Sequence, residues 1–428
     1  MSKFRITSRR SDGVVQTHVY DNQTQDIVTE TGEVVDLLHD PRCKNMVYVD
    51  KPLKPSKPNQ YKKEFNELRI QLGMNCNFHC RYCIEGHNND NQKKESVISL
   101  PPKQSAENLV NLLVKNDIRP NRVVFWGGEP FVYWKTVIEL VPRIKERMPS
   151  VTGFGIITNG SLLTLDKVKF LLENKVSLTV SHDGWSFNVY RNDKDPLDNP
   201  KVVEALQYYY DNIENKNMLC FNVVITPENC EISKLPSWFE EKTGRPIRVN
   251  FESIVKNDHI TDEIVTKFEG KYKKTLMNQC FVAGYSDPDT THLDSLRSIT
   301  SDFIGILVNK VSAEHANYYC SAPFNNQVAI DMQGNILRCH GTDPRSNTIG
   351  HISEIEKCIN DTMISTQERT KCQKCPFLML CKGGCPMISQ LDLDYYCKNL
   401  TIYYSAFFAS AWKLLFDGTL MTIETLDE

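Results

Sequence analysis

Residues 73–87 read GMNCNFHCRYCIEGH and carry three closely spaced cysteines. These loop cysteines, with the spacing C-x3-C-x2-C, are Cys76, Cys80 and Cys83. The segment directly follows a predicted strand at residues 68–72. Three thiolates in one loop can face a single centre, and they cannot pair off as disulfides without leaving one over. Because thiolates are ligands of zinc and of iron–sulfur clusters, the sequence predicts a metal centre at the end of this strand.

The number of protein ligands separates the two kinds of metal centre. A structural zinc ion takes four protein ligands, so a zinc site in this loop would need His79 or His87 as the fourth. A 4Fe–4S cluster held by three cysteines leaves one iron free to bind a substrate or cofactor. The surrounding sequence favours the cluster.

The composition limits the kinds of binding partner and the cellular compartment that we expect for this protein. The chain has 428 residues and a formal net charge of −3, so nothing favours nucleic acid or an anionic membrane as its main partner. Its first residues lack the apolar core of a secretory signal, and the apolar stretch at residues 400–416 is too short and interrupted for a membrane span. We therefore expect a cytoplasmic protein with reduced thiols. The odd number of cysteines, 15, also argues against a complete set of disulfides.

From residue 65 onward, predicted strands alternate with amphipathic helices. The strands are residues 68–72, 122–126, 154–158, 176–181, 219–225 and 247–251, and the helices are 105–114, 135–147, 165–173 and 202–212. This alternation predicts βα units and a parallel sheet, which is an α/β fold. We expect four regions: a β-rich extension with a Lys/Pro linker (1–64), the βα region (65–255), a connecting region (256–318), and a Cys-rich domain with a C-terminal helix at 402–416 (319–428).

The loop, with aromatic Tyr82 before its third cysteine, resembles the cluster-binding motif of the radical S-adenosylmethionine (SAM) superfamily. The resemblance implies a partial (β/α)6 TIM-like barrel. In that family the three cysteines hold a 4Fe–4S cluster, and the amino and carboxylate groups of SAM bind its fourth iron. Reductive cleavage of SAM then gives a 5′-deoxyadenosyl radical that abstracts hydrogen from the substrate.

Three more segments at predicted strand ends resemble SAM-binding motifs of the same family. The sequence WGGEP at residues 126–130 is similar to the GGEP motif, which binds the SAM amino group. TNG at 158–160 and SHDG at 181–184 resemble two others, and Asp183 is either a ligand or a turn residue. The resemblance assigns SAM binding to Tyr82, Gly127, Gly128, Glu129, Asn159, Ser181 and Arg191. All these segments end strands, where α/β barrels place their chemistry.

A second group of seven cysteines lies in the C-terminal block and resembles the SPASM domain, which holds two auxiliary 4Fe–4S clusters. By that pattern the first auxiliary set is Cys320, Cys339 and Cys385. The second auxiliary set is Cys372, Cys375, Cys381 and Cys397. The fourth ligand of the first set stays open between Cys280, Cys358, His340 and no protein ligand. A zinc ribbon is the alternative interpretation of the block.

SPASM relatives mostly modify ribosomally made peptides or proteins by cross-linking, epimerisation or oxidation. The resemblance therefore implies a radical SAM/SPASM maturase of a peptide or protein, supplied with electrons by a flavodoxin- or ferredoxin-type donor. Sulfatase-maturating members carry an Asp base directly after the cysteine of the G-x4-C motif. Here that position is His340, which is either the catalytic base or a structural residue. The alternatives are a SPASM enzyme acting on a small molecule, an anaerobic sulfatase maturase, and a zinc-stabilised binding protein without redox chemistry.

Overall fold

Two sheets and the helices around them organise the protein. The computed structural model describes residues 2–43, 60–85, 100–191, 194–254, 269–286, 293–313, 320, 326–359, 369–388 and 392–426. The strands in these residues are β1 (Lys3–Arg10), β2 (Val15–Asp21), β3 (Ile27–Thr29), β4 (Glu64–Gln71), β5 (Arg119–Trp126), β6 (Gly153–Thr158), β7 (Val176–Ser181), β8 (Leu219–Ile225), β9 (Arg248–Ser253), β10 (Gln327–Asp331), β11 (Asn335–Leu337), β12 (Thr348–His351) and β13 (Gly418–Leu426). The α-helices are α1 (Pro102–Lys115), α2 (Trp134–Arg147), α3 (Leu165–Glu173), α4 (Phe187–Tyr190), α5 (Pro200–Asn212), α6 (Leu235–Thr243), α7 (Gly270–Tyr285), α8 (Asp294–Val308), α9 (Thr370–Gln373), α10 (Leu378–Cys381) and α11 (Leu393–Phe416).

The central sheet has nine strands in the order β12-β11-β10-β4-β5-β6-β7-β8-β9. Strands β4 to β9 are parallel and neighbour one another in chain order. The six strands predicted from the sequence are these six, and β7 and β8 begin and end at the predicted residues. The predicted α/β fold with a parallel sheet is therefore confirmed.

The two faces of the parallel strands differ in polarity. In β7, Val176, Leu178 and Val180 are buried, while the serine and threonine residues between them are half-buried. Because successive strands are neighbours, right-handed crossovers place the connecting helices on one face, where the apolar side chains pack. The opposite face, called the inner face below, carries Ser177, Thr179 and Ser181 of β7.

Strand β10 comes from the Cys-rich block but belongs to the central sheet. It pairs in parallel with β4, from Gln327 opposite Glu67 to Asp331 opposite Gln71. Strands β11 and β12 continue from it in antiparallel fashion. This pairing joins segments far apart in the chain and leaves no local periodicity in the sequence. It brings the residues that follow β11, including Cys339, beside the strand that precedes the loop cysteines.

The second sheet is antiparallel, with the order β13-β1-β2-β3. Strand β1 pairs along its length with β13, and Lys3 lies opposite Leu426. The β-rich N-terminal segment and the C-terminal strand therefore form one sheet. The division of the chain into four regions stays a prediction, and most of the Lys/Pro linker lies outside the described residues.

Helix α11 forms much of the core between the Cys-rich block and the second sheet. It begins at Leu393, earlier than the predicted residue 402, and it ends at Phe416 as predicted. Its aromatic residues Phe407, Phe408 and Trp412 are fully buried and pack in the core. Among the helices of the described residues, none is both long and apolar enough to cross a membrane.

Candidate active site

The loop cysteines follow β4 at the carboxyl edge of the parallel strands, and the two glycines after β5 pack directly against them. The Gly128 amide donates to the Gly73 carbonyl (2.9 Å), and the Glu129 amide donates to the Asn75 carbonyl (2.9 Å). A Cβ at Gly127 would overlap the carbonyl oxygen of Gly73, and one at Gly128 would overlap that of Asn75. Glycine is therefore required at both positions for the two backbones to meet just before Cys76.

The three loop thiols form an electrostatically coupled group. Burial raises the pKa of Cys76 to about 12, and the charges of Glu129 and Cys80 add to the rise. Burial likewise raises the pKa of Cys83, as do the charges of Glu85, Cys80 and Cys76. Thiolates so placed repel one another, and a bound cation or cluster removes that penalty.

The two candidate metal centres differ in how their ligands are arranged. In the part of the chain that the structure describes, no three His, Cys, Asp or Glu side chains converge as the ligands of one metal ion do. A zinc ion draws its sulfur ligands to about 2.3 Å, whereas each iron of a cluster takes its own thiolate. His87, the alternative fourth zinc ligand, lies outside the described residues.

Glu129 ties the ends of β5 and β6 together. Its Oε1 accepts from the Phe131 amide (2.8 Å) and the Thr158 hydroxyl (2.7 Å), and its Oε2 accepts from the Asn159 amide (2.7 Å). The Asn159 side chain in turn donates to Asn77 Oδ1 (2.9 Å), between the first two loop cysteines. Glu129 is buried, and burial raises the pKa of its carboxyl group. The described contacts of both residues fix the loop, and their SAM contacts stay a prediction.

A buried ion pair closes the other side of the loop. Arg191 contacts Asp183 through two hydrogen bonds, Nε–Oδ2 at 2.9 Å and Nη2–Oδ1 at 3.0 Å. Tyr82 donates its hydroxyl to the same carboxylate, and the Arg191 guanidinium lies 5.6 Å from the centre of the Tyr82 ring. Arg191 also hydrogen-bonds Cys80, and its charge offsets part of the rise that burial causes in the pKa of that thiol. Asp183, left open between ligand and turn by the sequence, is the partner of Arg191.

Ser181 occupies a different position from these residues. It lies at the end of β7 opposite Asn222 of β8, on the half-buried inner face. The two glycines, Glu129, Asn159, Tyr82 and Arg191 all contact the loop or residues that contact it. The structure thus brings six of the seven predicted SAM-binding residues to the loop cysteines.

A polar network that the sequence analysis missed links the loop to His340. Trp126 donates its indole N–H to Glu85 (3.0 Å), and Gln71 also hydrogen-bonds this carboxylate. Gln71 further donates to the carbonyls of His340 (3.2 Å) and Thr342 (3.0 Å). Burial raises the pKa of Glu85 to about 7. The available signals were the polar residues alternating with Leu and Ile in LRIQ, and a glutamate two residues after Cys83.

The His340 ring lies between the two halves of the site. It meets the Trp126 ring edge-on with 4.5 Å between centroids, and Arg69 Nη1 lies 2.9 Å from its Nε2. Its Nδ1 is 4.0 Å from the Cys339 sulfur. Burial and the charge of Arg69 lower the pKa of His340 well below its usual value. The imidazole is therefore neutral, as a general base must be, and its role as a base stays a prediction.

The second auxiliary set lines one cavity. All four of its thiols border a space of about 260 Å³, whose remaining wall includes Phe377, Leu400 and Tyr404. Burial raises the pKa of Cys381 well above its usual value, and the charges of the other three thiols raise it further. The sequence assignment of these cysteines to one site agrees with this arrangement.

The first auxiliary set is also brought together, from three distant segments. Burial raises the pKa of Cys339 to about 12, with further rises from the charges of Cys385 and Cys320. Of the candidate fourth ligands, Cys280 is fully buried in α7. Burial raises the pKa of its thiol, and the charge of Cys230 raises it further. Cys358 lies against Gly350 and the Glu354 carbonyl. His340 is the candidate that lies beside this set.

Comparison with known proteins agrees with the interpretation of the loop as a radical SAM motif. Residues 70–231 match the model of the Radical SAM superfamily. A cysteine-type anaerobic sulfatase-maturating enzyme of Clostridium perfringens is 26% identical over 369 residues, which are 79% of this chain and 94% of that protein. The radical SAM cyclopropyl synthase TigE of Paramaledivibacter caminithermalis is 22% identical over 346 residues, 76% of this chain and 68% of that protein. Residues 70–231 therefore form a radical SAM domain, as the loop motif predicted, and the protein is an enzyme.

The fold of this protein is also similar to that of solved structures. The structure of native anSMEcpe with bound AdoMet covers 80% of this chain and 96% of its own, with a TM-score of 0.55 and 19% identity. Another structure of that protein, with AdoMet and the Cp18Cys peptide, covers the same shares with a TM-score of 0.53. The similarity extends beyond residue 231 and supports a common fold over the 80% of the chain that is covered.

Proposed function

We propose that this protein is a radical SAM/SPASM enzyme that modifies a peptide or protein, and that it carries three 4Fe–4S clusters. One observation supports the proposal most: ten cysteines lie in three groups, and these are the groups that the resemblance assigns. The loop cysteines hold the SAM-binding cluster, and the two auxiliary sets hold the others. The peptide substrate is supported by the anSMEcpe structure that contains a peptide.

The loop cysteines Cys76, Cys80 and Cys83 would hold a 4Fe–4S cluster, which together with SAM would supply the radical chemistry for hydrogen abstraction from a substrate. The residues of this chain position those groups. The glycine backbones and Glu129 fix the loop, and the Arg191–Asp183 pair holds its other side. His340 lies between the loop and the first auxiliary set, where a base would meet a substrate bound between them.

The inner face is the proposed substrate surface. Arg122 of β5 donates to Ser177 of β7 (2.7 Å) and lies 3.9 Å from Glu67 of β4. Further along, Asn250 donates to the sulfur of Cys220 (3.4 Å). These polar groups suit the many donors and acceptors of a peptide backbone.

The experiment is anaerobic reconstitution of the purified chain with iron and sulfide. We expect about 12 iron atoms per chain and 5′-deoxyadenosine formation from SAM with a reductant. The Cys76→Ala variant should lose 5′-deoxyadenosine formation and keep the auxiliary clusters, whereas Cys43→Ala should match the wild type. A colourless protein with stoichiometric zinc would support a zinc-stabilised binding protein and exclude the proposal.

Mass spectrometry of co-expressed peptides identifies the reaction. A cross-link removes two hydrogens from the peptide, and epimerisation leaves its mass unchanged. A cysteine-containing sulfatase peptide tests the maturase activity that the Clostridium perfringens relative favours. Because His340 stands where maturases carry an Asp base, we expect no formylglycine. Hydrogen abstraction from a small molecule but from no peptide would favour the small-molecule alternative. Photoreduced flavodoxin tests the proposed electron donor.

A further inference from the structure

Arg369 is a buried charge that has no acidic partner among the described residues. Its side chain is 2% exposed, and it is among the largest fully buried side chains of the described residues. It donates to the carbonyls of Gly383 (2.6 Å) and Ile388 (2.9 Å) and lies close to that of Cys385 (3.4 Å). Its Nε has no hydrogen-bond partner, and no carboxylate of the described residues pairs with the guanidinium.

Burying a cation is costly unless negative charge or hydrogen-bond acceptors lie nearby. Arg369 stands immediately before α9, which carries Cys372 of the second auxiliary set, and its carbonyl accepts from the Cys372 amide (2.8 Å). Its guanidinium holds the turn that leads to Cys385 of the first set. The residue therefore lies at the junction of the two sites.

Two glycines form the turn that connects the two auxiliary sets. Only three residues separate Cys381 of the second set from Cys385 of the first. Gly383 and Gly384 adopt φ values of +75° and +68°, which turn the chain sharply and present the Gly383 carbonyl to Arg369. Burial raises the pKa of Cys385 to about 11, and the charge of Arg369 offsets part of this rise. The same charge acts on Cys372 and Cys397 of the second set.

We propose that Arg369 is the shared counter-charge of the two auxiliary-cluster sites and raises the reduction potential of the clusters they bind. The inference rests on the proposed function, because it requires both clusters. A cluster ligated by thiolates has a net negative charge that grows on reduction. A fixed cation in a low-dielectric site therefore favours the reduced form.

The test is an EPR-monitored redox titration of the reconstituted enzyme, with the SAM-binding cluster as internal reference. In Arg369→Gln, which keeps a donor but removes the charge, we expect both auxiliary clusters to become harder to reduce by at least about tenfold in the equilibrium constant, or about 59 mV for one electron. Arg369→Lys should stay near the wild type. Lys398→Gln, which removes an exposed charge beside Cys397, should shift the potentials much less.

Each result has a defined meaning. Equal shifts in Arg369→Gln and Arg369→Lys, or none in either, would overturn the role of the charge while the clusters themselves stand. Wild-type protein with about four irons per chain would instead overturn the auxiliary clusters of the proposed function. If Arg369→Gln fails to load its auxiliary clusters, loading of Arg369→Lys with wild-type potentials supports the charge, and its failure to load contradicts it.

Discussion

Arg191 and Asp183 form a buried ion pair with two hydrogen bonds, of 2.9 and 3.0 Å, and neither side chain is more than 5% exposed. Asp183 also accepts from the Val224 amide (3.2 Å), so one carboxylate joins the ends of β7 and β8 to the residue that touches Cys80. The pair links the cluster loop to the strands that form the inner face. These contacts of Asp183 and Arg191 hold the loop against the ends of β7 and β8 even without a cluster.

Asp183→Asn should destabilise the apo protein strongly. The substitution leaves the Arg191 charge buried and unpaired, and breaking such a pair costs about 3–5 kcal/mol. The matched control is Asp198→Asn, which breaks an ion pair with Lys242 whose carboxylate side chain is 63% exposed and should cost less than about 1 kcal/mol. Chemical denaturation of both apo variants measures the difference, and equal losses of unfolding free energy would contradict the prediction.

Gly128→Ala should prevent loading of the SAM-binding cluster. A Cβ at this position overlaps the Asn75 carbonyl, so the backbone before Cys76 must move. We expect the variant to lose about four of its irons and to make no 5′-deoxyadenosine, while the auxiliary EPR signals persist. Gly153→Ala is the control, because its nearest neighbour would be Arg122 Cγ at 3.9 Å. A fully loaded, active Gly128→Ala enzyme would show that the loop tolerates displacement.

Cys280→Ala and Cys358→Ala should keep all three clusters. Cys280 lies beside Cys230 and Cys358 beside Gly350, away from the first auxiliary set. Iron content and EPR spectra should therefore match the wild type, whereas Cys385→Ala should lose a cluster. Loss of about four irons in Cys280→Ala would identify it as the missing fourth ligand instead.

Trp412→Ala should destabilise the protein strongly. Trp412 is fully buried in α11, with Phe408 at 5.3 Å and Phe416 at 4.8 Å between ring centroids. Removing a buried aromatic side chain costs about 3–5 kcal/mol. Denaturation should show this loss, and Met421→Ala, at a position 49% exposed, should leave stability nearly unchanged. Comparable stability of the two variants would argue against a core role for the helix.

Local patterns in the sequence were sufficient for the parallel strands and for the loop cysteines. The alternation of residues in β7 and β8 reports burial on one face, and a motif such as C-x3-C-x2-C is contained within a single loop. Motifs at strand ends could also be placed together, because the carboxyl ends of parallel strands share one edge. These features depend on residues close together in the chain.

Only the tertiary structure decided which distant residues meet. The pairing of β10 with β4 sets His340 against Trp126, and the pairing of β1 with β13 joins the N-terminal segment to the C-terminal strand. The role of Asp183 follows from its ion pair with Arg191. The role of Arg369 follows from its hydrogen bond to the Gly383 carbonyl, in the turn before Cys385. The sequence by itself determined the strands, the cysteine motifs and the class of chemistry. The partners of the buried charges were decided by packing between segments far apart in the chain, where spacing and periodicity carry no information.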